Sequence, residues 1–177
     1  MPKVSKSLKQ KLLKIRLVIL DVDGVMTDGR VFFGEKEYLL SFDVKDGAGI
    51  KYLQRAGIRL AIITGRKSAA VKRRASELGI TDVYQSALRK VQPYEKLLEK
   101  YNLKPREIAC VGDDLPDISL FRRVGVSFAV ANAVQEVKRA ANYLTRNAGG
   151  CGAIREIAEI ILKSQNKWKG LVQRYFE

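Results

Sequence analysis

Short apolar runs alternate with amphipathic stretches along most of this chain. Ile15–Leu20, Leu60–Ile63, Ile108–Val111 and Val126–Val130 are rich in β-branched and aliphatic residues, the pattern of strands buried on both faces. Shorter β-like pieces sit at Val83–Tyr84 and Tyr143–Leu144. Between them, apolar residues recur at helical spacing over about 47–56, 67–78, 91–101, 116–123, 133–140 and 152–163. Gly57, Gly79 and Gly125 fall where a helix-ending glycine is expected, and Pro116 suits a first helical turn. Strands alternating with helices predict an α/β fold of three layers, a parallel sheet with helices on both faces. One stretch breaks the alternation. Residues 30–42 read as two short strands around a polar turn, a small β-hairpin projecting from the loop after the first strand. Trp168, Leu171, Val172 and Tyr175 share one helical stripe near the C-terminus.

The chain has 177 residues, 46% of them hydrophobic, which suits one domain with a full core. With no internal repeat or low-complexity linker, a single domain over 1–177 is expected, with 30–42 as the hairpin and 164–177 as a tail. No apolar run approaches the ~20 residues of a membrane span. The basic N-terminal stretch runs into Asp21, Asp23 and Asp28, unlike a secretory leader. A cytoplasmic protein without a membrane partner is expected. Cys110 lies in an apolar run and Cys151 in a glycine loop, and neither calls for a disulfide. There is no histidine, so histidine bases, triads and zinc sites are excluded. Acid–base and metal chemistry falls to carboxylates, which suit hard cations such as Mg²⁺. The net charge of +14 implies attraction to anions. Most of it is spread over helices and termini, and no aromatic-rich basic module offers itself to stacked bases. No nucleic-acid partner is expected.

Asp21 and Asp23 follow directly on the first strand. A regular continuation would send both carboxylates the same way, and like charges that close resist ionising together without a cation or donors. Alone, Asp-x-Asp-Gly reads equally well as an ordinary turn. The other strand ends supply partners: Thr64-Gly65-Arg66 after Leu60–Ile63, Lys90 before the 91–101 helix, and Gly112-Asp113-Asp114 with Asp117 after Ile108–Val111. In open α/β sheets ligands bind beyond the carboxyl ends of strands. Acids, a hydroxyl and a lysine on one rim suit a phosphate monoester. Asp21 and Asp113 can hold Mg²⁺, a carboxylate can be the nucleophile, Asp23 can serve as general acid and then base, and Thr64 and Lys90 can cradle phosphoryl oxygens.

Asp21-Val22-Asp23-Gly24-Val25-Met26-Thr27, Thr64-Gly65-Arg66, Lys90 and Gly112-Asp113-Asp114-Leu115-Pro116-Asp117 resemble, in order and spacing, the four motifs of haloacid dehalogenase superfamily phosphatases. The resemblance implies a Rossmann-like core, with Asp21 as nucleophile, Asp23 as acid/base and Thr64 and Lys90 as phosphate ligands. It implies Mg²⁺ held by Asp21, Asp113 and the main-chain carbonyl of Asp23. Asp114 and Asp117 would be supporting residues, Asp117 orienting Lys90 or a metal-bound water, or else polar helix-start residues. Only 42 residues separate Asp21 from Thr64 and 25 separate Thr64 from Lys90, too few for a cap domain in either interval.

Asp43-Val44-Lys45-Asp46-Gly47, Ala61–Lys67, Gly79-Ile80-Thr81 and Gly149–Glu156 carry a closer resemblance, over nearly the whole chain, to the 3-deoxy-D-manno-octulosonate 8-phosphate phosphatase family. It implies that Asp43, Val44, Lys45, Asp46, Gly47, Lys51, Arg66 and Arg74 contact the sugar acid, beside Asp23 and Lys90. Lys51 and Arg74 read equally well as exposed helix charges. Asp43, Lys45, Lys51 and Cys151 stand where family members often carry Asn, Arg, Arg and Arg; each lysine keeps the charge but loses the planar fork of arginine. The resemblance implies Mg²⁺-dependent hydrolysis of a sugar-acid phosphate through an aspartyl-phosphate, in lipopolysaccharide precursor synthesis, by a homotetramer with shared sites. A nine-carbon sugar-acid 9-phosphate of sialic acid type remains an alternative, as do, less favoured, a polynucleotide 3′-phosphatase and a non-catalytic scaffold.

Overall fold

The computed structural model of the chain describes residues 5–34 and 38–176. In chain order the elements are α1 (Lys6–Leu12), β1 (Leu17–Leu20), β2 (Phe32–Phe33), β3 (Tyr38–Leu39), α2 (Val44–Arg55), β4 (Arg59–Ile63), α3 (Ala69–Leu78) and β5 (Asp82–Tyr84). They continue with α4 (Val91–Tyr101), β6 (Ile108–Gly112), α5 (Ile118–Phe121), β7 (Val126–Ala129), α6 (Gln135–Ala140), β8 (Tyr143–Leu144), α7 (Ala153–Ser164) and α8 (Trp168–Gln173). Six strands form one sheet in the order β5-β4-β1-β6-β7-β8, and every neighbouring pair is parallel.

The chain order steps outward from β1 to β4 and β5, then crosses back to β6, β7 and β8. Right-handed crossovers place the helices of the two directions on opposite faces. The packing agrees: α2 contacts α3 and α7, and α1 contacts α7, while α4 contacts α5 and α5 contacts α6. All residues of β1, β6 and β7 are buried, as strands covered on both sides require. Leu20 sits opposite Ile62 on one side and Val111 on the other, so the ends of β1, β4 and β6 open at one level. That level is the switch point of the sheet.

The strand and helix expectations hold, with shifts at the ends. The first strand loses Ile15 and Arg16. α2 begins at Val44 rather than about 47, because Asp43 accepts the Asp46 amide at 2.9 Å and starts the helix earlier. The stretch expected to be helical from Pro116 opens as a 3₁₀ turn over Leu115–Asp117 before α5. α1 had no counterpart in the sequence pattern. Its two buried apolar residues, Leu8 and Leu12, lie one turn apart among lysines, and Ser5 caps it. Gly57 and Gly79 have φ of +81° and +69°. Gly125 does not have positive φ; a Cβ there would lie 2.5 Å from the Arg106 carbonyl oxygen, so close approach explains it, not helix termination.

The hairpin is present as two-residue antiparallel strands with Phe32 opposite Leu39; residues 35–37 of the expected turn lie outside the described residues. Phe33 is 82% exposed. Trp168 meets Tyr52 of α2 edge-on at 5.6 Å, so the C-terminal stripe packs on its own chain. Among the described residues no inserted cap domain interrupts the core.

Candidate active site

Asp21 extends the β1–β6 pairing by one bond, its amide donating to the Val111 carbonyl at 3.2 Å. The chain then turns sharply. The Val22 carbonyl accepts from the amides of Val25, Met26 and Thr27, and the buried Thr27 hydroxyl accepts from the amides of Gly24 and Gly29. The turn splits the paired acids: the Asp21 side chain is buried and that of Asp23 is part-exposed. Gly24 has φ of +81°, and a Cβ there would stand 2.0 Å from Asp113 Oδ2. Only glycine allows the Asp113 carboxylate to lie against this loop.

Lys90, just before α4, is buried between two acids. Its Nζ lies 3.0 Å from Asp21 Oδ1 and donates to Asp117 Oδ1 at 2.7 Å. Asp117 Oδ2 accepts the amides of Asp113 and Asp114 at 3.0 and 3.3 Å. Both oxygens of Asp117 are thereby committed to holding Lys90 and the loop after β6. Asp114 accepts from the Leu115 amide and starts the 3₁₀ turn. Thr64, at the end of β4, is held through its main chain by Tyr84 and Ala87. Burial would lower the Lys90 pKa, but Asp21 and Asp117 outweigh it and raise it, keeping the ammonium charged. Burial pushes Asp21 up to about 6, opposed by Lys90 and reinforced by Asp117. Burial and the neighbouring Asp21 and Asp117 push Asp113 up to about 7.

Oxygens of Asp21, Asp113 and Asp117 lie within 4.8 Å of one another. Three carboxylates face one ammonium, and ionising all of them leaves the deficit of a divalent cation. Asp21 Oδ1 and Asp113 Oδ1 are buried with no hydrogen-bond partner; the contact of Asp21 Oδ1 with Lys90 is an ion pair without hydrogen-bond alignment. Buried, unpartnered oxygens from a donor set without nitrogen or sulfur fit Mg²⁺. Asp21 and Asp113 have ligand atoms to offer, whereas Asp117 is already engaged.

These groups line a cleft of about 500 Å³. Asp23, whose Oδ2 accepts from Arg66 Nε at 3.1 Å, lines the same cleft. Thr64 and Asp114 also line it. Sequence reasoning missed Ala87 and Leu88, which also line the cleft. An isolated leucine that folding leaves 87% exposed carries no signal in its sequence context.

The structure does not gather the residues expected to contact the sugar acid into this cleft. Asp43 caps α2. The guanidinium of Arg74 donates to the Asp43 carbonyl at 3.3 Å, and a Cβ on Gly47 would touch it. Asp46 is buried and accepts the amides of Gly152 and Arg155 at 3.2 and 2.8 Å. Lys51 Nζ donates to the Leu78 carbonyl at the end of α3. Val44 is exposed. Lys45 lines a different cleft, with Lys9 and Arg155 on the far side of the 146–152 loop. Of the expected set, Asp23, Arg66 and Lys90 stand in the catalytic cleft.

Comparison with known proteins shows the family. A family model described as haloacid dehalogenase-like hydrolase matches residues 74–157. The chain is 45% identical over 165 residues to 3-deoxy-D-manno-octulosonate 8-phosphate phosphatase KdsC of Escherichia coli K12, covering 93% of this chain and 88% of that protein. The crystal structure of the Yersinia pestis phosphatase of that name superposes with a TM-score of 0.92 at 43% identity, covering 94% of this chain and 91% of that one. The Moraxella catarrhalis phosphatase, solved with magnesium ion, phosphate ion and a KDO molecule, gives 0.92 at 38% identity, covering 94% and 97%. With the segments that carry Asp21, Thr64, Lys90 and Asp113 meeting at the β1–β4–β6 switch point, the chain belongs to the 3-deoxy-D-manno-octulosonate 8-phosphate phosphatase family of haloacid dehalogenase-like hydrolases.

Proposed function

We propose that this chain hydrolyses 3-deoxy-D-manno-octulosonate 8-phosphate to the free sugar acid and phosphate, in two steps through an aspartyl-phosphate on Asp21. The observation that carries the mechanism is Asp21, buried at the end of β1, with Lys90 at 3.0 Å and a second carboxylate, Asp23, lining the same cleft. A Asp21 oxygen attacks phosphorus as the bond to the sugar oxygen breaks, and Asp23 gives that oxygen its proton. A water then loses a proton to Asp23 and attacks the same phosphorus, releasing phosphate and restoring Asp21. Lys90 and Thr64 hold the phosphoryl oxygens where charge develops, and Asp117 holds Lys90. Asp21, Asp113 and the Asp23 main-chain carbonyl would hold Mg²⁺, which would supply positive charge to offset the repulsion between carboxylate and phosphate. Arg66, paired with Asp23 in the free protein, offers its fork to the substrate carboxylate.

The open cleft and the exposed apolar hairpin, with Phe32 52% exposed, support a homotetramer in which a neighbouring subunit completes each site. A fully active monomer in sedimentation overturns that part. No described helix is long and apolar enough to cross a membrane. Phosphate release with Mg²⁺ against the eight-carbon sugar acid 8-phosphate, sialic acid 9-phosphate, hexose phosphates and a 3′-phosphorylated oligonucleotide tests the substrate. Preference for the first supports the reading; preference for any other overturns it.

A further inference from the structure

Asp46 and Glu156 are buried acids outside the catalytic cleft, and both grip the two ends of one loop. Asp46, reaching across from α2, accepts the amides of Gly152 and Arg155, where α7 has no side-chain cap of its own. Glu156 accepts the amides of Arg146 and Asn147, the Asn147 side-chain amide and the Tyr143 hydroxyl. Between these anchors, the loop is pressed on the back of the nucleophile loop. The Gly150 amide donates to the Val25 carbonyl at 2.9 Å. A Cβ on Gly149 would lie 1.7 Å from the Gly24 carbonyl oxygen, and one on Gly150 would lie 2.4 Å from the Asp28 amide nitrogen. On the other side of Gly24, within 2.0 Å of where its Cβ would stand, is Asp113 Oδ2. The two acids thus hold the loop that carries Gly149 and Gly150, these glycines pack on the Gly24–Asp28 backbone, and the Asp113 carboxylate lies against Gly24.

We propose that Asp46 and Glu156 are positioning residues that hold the 146–152 loop as a wedge behind Gly24, fixing the spacing of Asp21 and Asp113 and hence the affinity for Mg²⁺. This rests on the Mg²⁺ reading above. It gives Asp46 a role different from sugar contact: its two oxygens are turned to α7. A partner behind a metal ligand commonly sets about 10- to 100-fold in metal affinity. Neither acid touches the reacting atoms, so Mg²⁺ binding responds first to their replacement.

The test is Mg²⁺ binding to the free protein by titration calorimetry, without substrate, for wild type, Asp46→Ala, Asp46→Asn and Gly149→Ala. Steady-state KM at saturating Mg²⁺ is measured alongside. Mg²⁺ affinity falls by about tenfold or more in Asp46→Ala and Gly149→Ala, and Asp46→Asn, which keeps one acceptor, recovers part of it. Unchanged Mg²⁺ affinity in folded Asp46→Ala overturns the proposal, as does a raised KM with Mg²⁺ affinity intact, the signature of sugar contact. Where Asp46→Ala does not fold, Glu156→Gln, which keeps shape and one acceptor, meets the same two criteria. Failure of wild type to release phosphate from the sugar acid overturns the substrate reading alone, since the Mg²⁺ titration contains no substrate.

Discussion

Replacing Lys90 with methionine keeps the length and packing of the side chain and removes its charge. Asp21 and Asp117 then face each other across the space of a buried cation, with Nζ contacts of 3.0 and 2.7 Å lost. At an effective dielectric of about 20, a unit pair at about 3 Å is worth roughly 5 kcal/mol before desolvation is subtracted. Removing one partner of a buried pair costs about 3–5 kcal/mol in measured cases. For a chain of this size that lowers Tm by roughly 6–20 °C. Protonation of the acids left behind limits the loss, and its sign is fixed. Asp21 is already raised to about 6 by burial, and without Lys90 it rises further. A carboxyl raised in the folded state contributes stability at low pH that disappears as pH climbs through its folded value. The Tm deficit of Lys90→Met is therefore larger at pH 8 than at pH 5. Thermal melts in EDTA followed by circular dichroism measure it, and phosphate release with Mg²⁺ restored drops by about 10²–10³. Equal melting of mutant and wild type at both pH values refutes the reasoning, because it means that Lys90 does not neutralise these carboxylates.

Mg²⁺ binding to wild type weakens by about tenfold per pH unit below about 7, where protons compete for Asp113; pH-dependent calorimetry with proton release measured from buffer heats checks this, and a flat profile contradicts it. Gly24→Ala forces a methyl into Asp113 at a position of positive φ, so it loses Mg²⁺ affinity and at least about 1 kcal/mol of stability, read by calorimetry and melting.

The alternation of strands and helices was legible because a parallel sheet buried on both faces demands apolar runs, as in β1, β6 and β7. The gathering of acids, threonine and lysine at the strand ends was legible for a related reason. Asp21, Thr64 and Asp113 follow directly on such runs, so recognising the strands places the residues. Asp46 shows what was not legible. It reads as part of a polar segment near the substrate, yet its partner amide lies 109 residues along the chain, and nothing local distinguishes an acid that caps a distant helix from one that meets a ligand. Lys51 is similar: its ammonium is taken by the Leu78 carbonyl of a neighbouring helix end. Gly149 and Gly150 were visible as a motif, but their reason, the Gly24–Asp28 backbone packed against them, exists only once β1 and α7 come together. Gly125 reads as a helix C′ glycine but is not one, since a C′ glycine and a close-approach glycine look alike in sequence.

The proposed hydrolysis begins with attack of Asp21 on phosphorus. Asp21→Asn keeps the shape of the side chain and removes most of its nucleophilicity. The direct measurement is Mg²⁺-dependent phosphate release from 3-deoxy-D-manno-octulosonate 8-phosphate by wild type and Asp21→Asn, with melting curves confirming that both are folded. A loss of at least about a thousandfold in kcat is predicted. Undiminished release by the folded Asp21→Asn protein would contradict it.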